Sequence, residues 1–186
     1  MPRLRVHYFQ LTDAPATAPR PHGFERIALE RLALEEYLAL YRRVGAPVGW
    51  DQRLRMPREE LGVLLQSFRS RIYVLRTDSG AALGLCEFDR AASGRAAPGR
   101  AVPSQTEAAQ VAPPEIELKN FGLVPEAQGR RLGPWLLTTA LRCEWQLHPT
   151  RIWLHTDEWD HPAAIPVYER AGFRHYLTRD EPSEPL

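Results

Sequence analysis

The sequence predicts a mixed α/β fold built on one central sheet, and three observations carry that expectation. Strand-like and helix-like segments alternate through the second half, the pattern that puts helices against a sheet. Thr77-Asp78-Ser79-Gly80 lies between two apolar runs and signals an antiparallel hairpin. The 186 residues are 44% hydrophobic and 25% charged, a balance that supports one core and a single domain over 1–186.

The elements follow in order. Leu4 to Leu11 alternates loosely and is rich in Val, Tyr and Phe, so it reads as a strand. Thr12 to His22 holds Pro15, Pro19 and Pro21 and reads as a loop. Over Phe24 to Val44, Ile27, Ala28, Leu32, Leu34, Leu38 and Tyr41 recur near the helical period, which predicts one long helix ended by Gly45, Pro47 and Gly49. A second helix fits Pro57 to Phe68, with Pro57 at its first position and Glu59 and Glu60 in its positive first turn. Arg71 to Arg76 and Ala81 to Phe88 are the hairpin strands. Residues 91–114 are rich in Pro, Ala, Gly and Ser with few large apolar side chains, so burial offsets little ordering entropy; they read as a flexible insertion. Then come a strand from Glu115 to Val124, a loop to Gly133, a helix from Pro134 to Leu147 and a strand from Arg151 to Thr156. A helix from Ala163 to Ala171, closed by Gly172, and a strand from Phe173 to Thr178 complete the chain.

Composition excludes several function classes. Lys+Arg total 24 against 23 Asp+Glu, a net charge of +1, so the footprint of a dedicated nucleic-acid binder is missing. Cys86 and Cys143 make no disulfide framework, and no Cys/His spacing suggests a metal site. No signal-type h-region or spanning apolar run is present, so the expectation is a cytoplasmic chain with no membrane contact.

Gln128-Gly129-Arg130-Arg131-Leu132-Gly133 joins a strand to a helix. Glycines let backbone approach a ligand, free N–H groups at a helix start favour an anion, and Arg130 and Arg131 add charge for phosphates. The loop is neither a Walker A nor a Rossmann fingerprint. An ordinary turn with two exposed arginines fits this hexapeptide equally.

Val124-Pro125-Glu126-Ala127-Gln128-Gly129-Arg130-Arg131-Leu132-Gly133 is followed downstream by Asp160-His161-Pro162-Ala163-Ala164-Ile165-Pro166-Val167-Tyr168-Glu169-Arg170-Ala171-Gly172-Phe173. Together these resemble motifs A and B of the GNAT superfamily of acyl-CoA-dependent N-acyltransferases, strongly from Glu115 to Tyr176 and weakly beyond. The resemblance implies a mostly antiparallel central sheet flanked by helices, acetyl-CoA as co-substrate, and direct attack by an amine. It implies cofactor contacts at Gln128, Gly129, Arg130, Arg131, Leu132, Gly133 and Pro134, with Leu123 and Val124 meeting the pantetheine amides as an added strand would. Two positions depart from the pattern. Arg131 stands where the motif often has glycine. His161 stands where motif B has the asparagine that bonds pantetheine; it either substitutes or sits beside a helix cap.

Amide formation from a thioester needs a deprotonated amine, a polarised carbonyl and a protonated leaving thiolate. Tyr168 matches the family tyrosine that protonates the thiolate; its phenol is a neutral donor at pH 7. The alternative is a tyrosine packed on the sheet. Glu117 matches the family's glutamate base, acting through water; a solvated strand face, or pairing with Lys119, is the alternative. Alternation puts Glu115, Glu117, Lys119 and Phe121 on one strand face. Asp157, Glu158, Trp159 and Asp160 suit a cationic acceptor, and Asp160 also fits a helix N-cap. The leading reading is an N-acetyltransferase with a small-molecule or peptide amine acceptor and no metal; a homodimer is compatible. A non-catalytic CoA- or acyl-CoA-binding module is the alternative.

Overall fold

The computed structural model describes residues 3–21, 23, 25–90 and 115–182. The expected insertion, 91–114, lies outside the described residues. Along the chain run β1 (Arg3–Leu11), β2 (Arg26–Glu30), α1 (Leu34–Gly45), a 3-10 turn at Ala46–Val48, α2 (Gln52–Arg55) and α3 (Arg58–Gln66). They are followed by β3 (Ser70–Arg76), β4 (Ala82–Asp89), β5 (Glu115–Leu123), a 3-10 turn at Pro125–Ala127, α4 (Leu132–Trp145), β6 (Arg151–Asp157), α5 (Ala164–Ala171) and β7 (Arg174–Pro182).

The strands form one seven-stranded sheet in the order β2-β3-β4-β5-β6-β1-β7. Every neighbouring pair is antiparallel except β5 and β6. The mixed, mostly antiparallel sheet expected from the sequence is therefore present. Helices cover both faces. Tyr73 and Cys86 are paired across β3 and β4 and share a face, so Glu87 points the other way. Glu144 of α4 accepts from Tyr73, whereas Tyr37 of α1 donates to Glu87. The main core includes Tyr41, Leu61, Leu75, Leu85, Leu136 and Ile152, all at 2% exposure or less.

One expected element does not form. The long helix from Phe24 to Val44 is instead a strand, an extended link and a shorter helix. Arg-Ile-Ala-Leu-Glu fits a period of two as well as a helical one, because Ile27 and Leu29 alternate while Ile27 also keeps register with Leu34. Pairing decides between them: Arg26–Glu30 runs antiparallel to Arg76–Ile72. Arg76 donates to Glu30 from Nε at 2.9 Å and Nη2 at 2.7 Å, and its Nη2 also reaches Glu36 in the first turn of α1 at 2.6 Å. One guanidinium thus joins strand to helix, a tertiary contact that overrides local periodicity.

Two features of β5 position the site. It pairs with β6 only at Glu115–Glu117, and beyond that the two parallel strands part. Against β4 the register shifts between Glu87↔Asn120 and Phe88↔Leu118, a bulge at Lys119. The bulge breaks the expected alternation: Asn120, opposite Glu87, joins the face of Glu117, which lies opposite Asp89. Pro166 is the third residue of α5, where a missing N–H costs no helical bond. Among the described residues no helix is long and apolar enough to cross a membrane.

Candidate active site

A cavity of about 340 Å³ lies against Phe121, Gly122 and Leu123, the β5 residues beyond its pairing with β6. One wall is the loop and helix start that the sequence singled out: Gln128, Gly129, Arg131, Leu132, Gly133 and Pro134. Another is α5 with the turn before it, including Tyr168 and His161. The cavity thus gathers nine of the twelve residues expected to bind the cofactor or catalyse, Leu123 included, together with Asp160 of the acidic cluster. Val124, Arg130 and Glu117 do not line the cavity.

The loop has the shape an anion site needs. Gly129 (φ 73°) and Arg131 (φ 59°) both take left-handed backbone, which turns the chain abruptly into α4. No side chain caps α4. The first-turn N–H groups of Leu132 and Gly133 keep the positive end of the helix dipole unneutralised, and Pro134 lacks an N–H in any case. Arg131 is exposed at this rim. Arg130 turns away: its guanidinium pairs with the buried carboxylate of Glu25, fastening the loop to the segment before β2.

Leu123 and Val124, the two residues expected to meet a ligand as an added strand would, differ in what their backbone groups do. Val124 is fully buried, its N–H donates to Leu83 at 2.9 Å, and its C=O accepts from Ala127 at 2.9 Å. Both backbone groups are engaged within the chain, so Val124 is corrected to a structural residue. Since Val124 donates toward β4, alternation turns the N–H and C=O of Leu123 to the opposite edge, the one β6 has left, where the C=O accepts from the Gln128 amide at 3.4 Å.

Tyr168 sits at 7% exposure, with its ring 6.0 Å from those of Phe121 and Phe173. Burial pushes its phenol far above the ordinary tyrosine value, and the nearby Asp160 carboxylate adds to this. It therefore stays a neutral O–H at any physiological pH. His161 is exposed and its Nδ1 accepts from Ala163 N–H at 3.1 Å. It, and not Asp160, holds the turn into α5: Asp160 instead accepts from the Thr156 hydroxyl, and no side chain caps the helix itself.

Glu117 is buried on the α1 face, where the parallel strands separate. Burial raises its pKa, but the interaction with His155, Nδ1 to Oε1 at 3.5 Å, and the Lys119 ammonium at 3.0 Å outweigh that and hold it below the ordinary glutamate value. Asp157 is shifted the opposite way, chiefly by burial. Its carboxylate accepts from Trp159 N–H at 2.8 Å, while the Trp159 indole is largely exposed.

The sequence reading missed two groups. Val44, Pro47 and Trp50 close the cavity from the α1 side; the Pro47-Val48-Gly49-Trp50 cluster was visible but read only as a helix stop. Glu87, at 1% exposure, accepts from Tyr37 (2.6 Å), Asn120 (2.7 Å) and Arg53 (2.5 Å). An acid inside Leu83-Gly84-Leu85-Cys86-Glu87-Phe88 was the available signal.

The chain matches the model of the acetyltransferase (GNAT) family over residues 27–173. No curated protein matches it in sequence. Among solved structures it is similar to a GCN5-related N-acetyltransferase from Sphaerobacter thermophilus (TM-score 0.62, 19% identity), covering 100% of this chain and 55% of that one. It is also similar to an aminoglycoside acetyltransferase from an uncultured soil metagenomic sample (TM-score 0.59, 14% identity, 80% and 88% covered). A third is a tandem GNAT protein of the clavulanic acid biosynthesis pathway (TM-score 0.56, 18% identity, 98% and 55% covered). The chain spans about half the length of the first and third of these, and likeness at such identities concerns the fold. With the family model running from β2 to the end of α5, the chain belongs to the GNAT acetyltransferase family.

Proposed function

We propose that this chain transfers an acetyl group from acetyl-CoA to an amine by direct attack. The observation that supports this most is the cavity itself. It joins an uncapped helix start with left-handed Gly129 and Arg131, the backbone of Leu123 where β6 has parted from β5, and the neutral phenol of Tyr168.

Each group has a distinct task in this reading. The α4 N–H groups and Arg131 hold the pyrophosphate, and Leu123 pairs with the pantetheine amides. The amine nitrogen bonds to the thioester carbonyl carbon and the carbon–sulfur bond breaks. Tyr168 delivers its proton to the departing sulfur. Glu117, ionised at neutral pH, takes the ammonium proton through one water. The acids near it favour a cationic acceptor over a neutral or anionic one. Small amines, amino acids, antibiotics, polyamines and protein N-termini all meet that description.

The test is CoA release from acetyl-CoA across a panel of such amines, with acidic acceptors as controls. Release with at least one amine supports the proposal. Acetyl-CoA binding without release from any of them would favour a non-catalytic binding module.

A further inference from the structure

We infer that a second site, remote from the acetyl-transfer cavity, binds a phosphate-type oxyanion. A cavity of about 210 Å³ lies by the β2 edge of the sheet, lined by Arg31, Arg71, Arg90, Ser70, Phe68 and Glu30 among others. None of these residues lines the cavity at β5 and α4.

Its charges do not balance. Glu30 is engaged through both oxygens by Arg76, which lies outside the cavity lining. Glu144, fully buried behind the cavity, must serve two cations: Arg71 Nε at 2.7 Å and Arg90 Nε at 2.9 Å, with the Tyr73 hydroxyl at 2.7 Å besides. Among the described residues Arg31 donates to carbonyls alone, Gln66 at 2.7 Å and Ser67 at 3.3 Å, and lies 5.6 Å from the exposed Phe68 ring. Among the described residues one buried carboxylate thus faces two guanidiniums, and a third stands by without a counter-ion.

The donors are also in excess. Arg90 Nη2 is buried and has no hydrogen-bond partner. Ser70, at 8% exposure, lines the cavity with its Oγ buried and equally unpartnered. Arg71 uses Nε on Glu144 and Nη2 on Tyr73, which leaves Nη1. Buried donors left unmade are costly, and a guanidinium N–H more so than a neutral one. A tetrahedral oxyanion takes several donors from different directions and carries the missing negative charge. The three guanidiniums and the hydroxyl supply both. The ligand is inorganic phosphate or the terminal phosphate of a phosphomonoester.

Calorimetric titration tests this, with sodium phosphate and with glycerol phosphate, at ionic strength held constant with sodium chloride. The wild-type chain is compared with Arg90→Gln, Ser70→Ala and Gly129→Asp. Because the pyrophosphate loop also attracts phosphate, Gly129→Asp reports which site is read. We expect saturable binding that survives Gly129→Asp, weakens about tenfold or more in Arg90→Gln, and weakens less in Ser70→Ala. Tighter binding of the ester identifies a phosphorylated metabolite as the ligand; equal binding identifies the phosphate alone. Should Arg90→Gln not fold, Ser70→Ala decides. No saturable heat in the wild type, or wild-type affinity in both Arg90→Gln and Ser70→Ala, overturns the inference. So does loss of binding in Gly129→Asp.

Discussion

Strand β5 carries two different chemistries on either side of its bulge. Before it, Glu117 lies in a buried charged neighbourhood on the α1 face, near Lys119, His155 and the Glu87 network entered by Asn120. After it, Phe121, Gly122 and Leu123 present an apolar wall and a backbone edge that no longer pairs with β6. The first stretch presents charge through side chains, and the second presents shape and backbone. Gly122 shows how tight the second stretch is: a Cβ there would stand 2.6 Å from Val44. The contrast teaches that a single strand can present two chemistries at once, provided its neighbour departs partway along.

The largest effect expected falls on catalysis. Tyr168→Phe keeps the packing against Phe121 but removes the proton donor. It should lower kcat by roughly 10²–10⁴-fold while leaving acetyl-CoA affinity nearly unchanged. Wild-type turnover in a chemistry-limited assay would show that the thiolate needs no help from this residue.

Next in size is a stability effect on the charged side. Glu87→Gln leaves the Arg53 guanidinium, 9% exposed, without its counter-ion. Removing one partner of a buried pair costs about 3–5 kcal/mol, to be read from denaturant unfolding. A loss below about 1 kcal/mol would mean that water reaches Arg53 freely, and the contrast across β5 would weaken.

On the backbone side, Gly129→Asp inserts a negative charge beside the helix start and a side chain at φ 73°, where only open space surrounds the Cβ. Acetyl-CoA affinity should fall about tenfold or more, with kcat at saturation little altered. Unchanged affinity would detach the loop from the pyrophosphate.

The smallest effect concerns pH. The Glu117 pKa is lowered on folding, so its contribution to stability is present above the unfolded value and lost as pH falls through the lowered one. Glu117→Gln should therefore flatten the acid limb of the stability curve. The same shift means that Glu117 is already ionised at pH 6. A rise of kcat/KM between pH 6 and 8 then reports loss of the acceptor's proton, and should persist in the variant at a lower level. If instead that rise disappears in Glu117→Gln, the residue titrates in the working range and the ion pairs seen here do not hold during turnover.

Much of the second half was legible because its signals are local. A glycine that must take positive φ, an uncapped helix start and a tyrosine at fixed spacing from Gly172 each declare themselves within a few residues. What failed depended on partners far along the chain. Arg26–Glu30 reads as helix until Arg76 and β3 are supplied. Arg130 reads as a phosphate ligand until Glu25 claims it, and Val124 as an open backbone until Leu83 accepts its N–H. The Glu87 network joins α1, α2, β4 and β5, and no spacing in the sequence announces it. Strand alternation predicted the faces of β5 correctly up to Lys119, where one extra residue turned Asn120 toward Glu117.

Calorimetric titration of acetyl-CoA into the full chain tests the central claim most directly, with wild type and Gly129→Asp run side by side. The account predicts saturable binding at one site per chain, a matching rise in melting temperature, and clear weakening in Gly129→Asp. Absence of both heat and thermal shift in the wild type, or equal affinity in the two proteins, would contradict it.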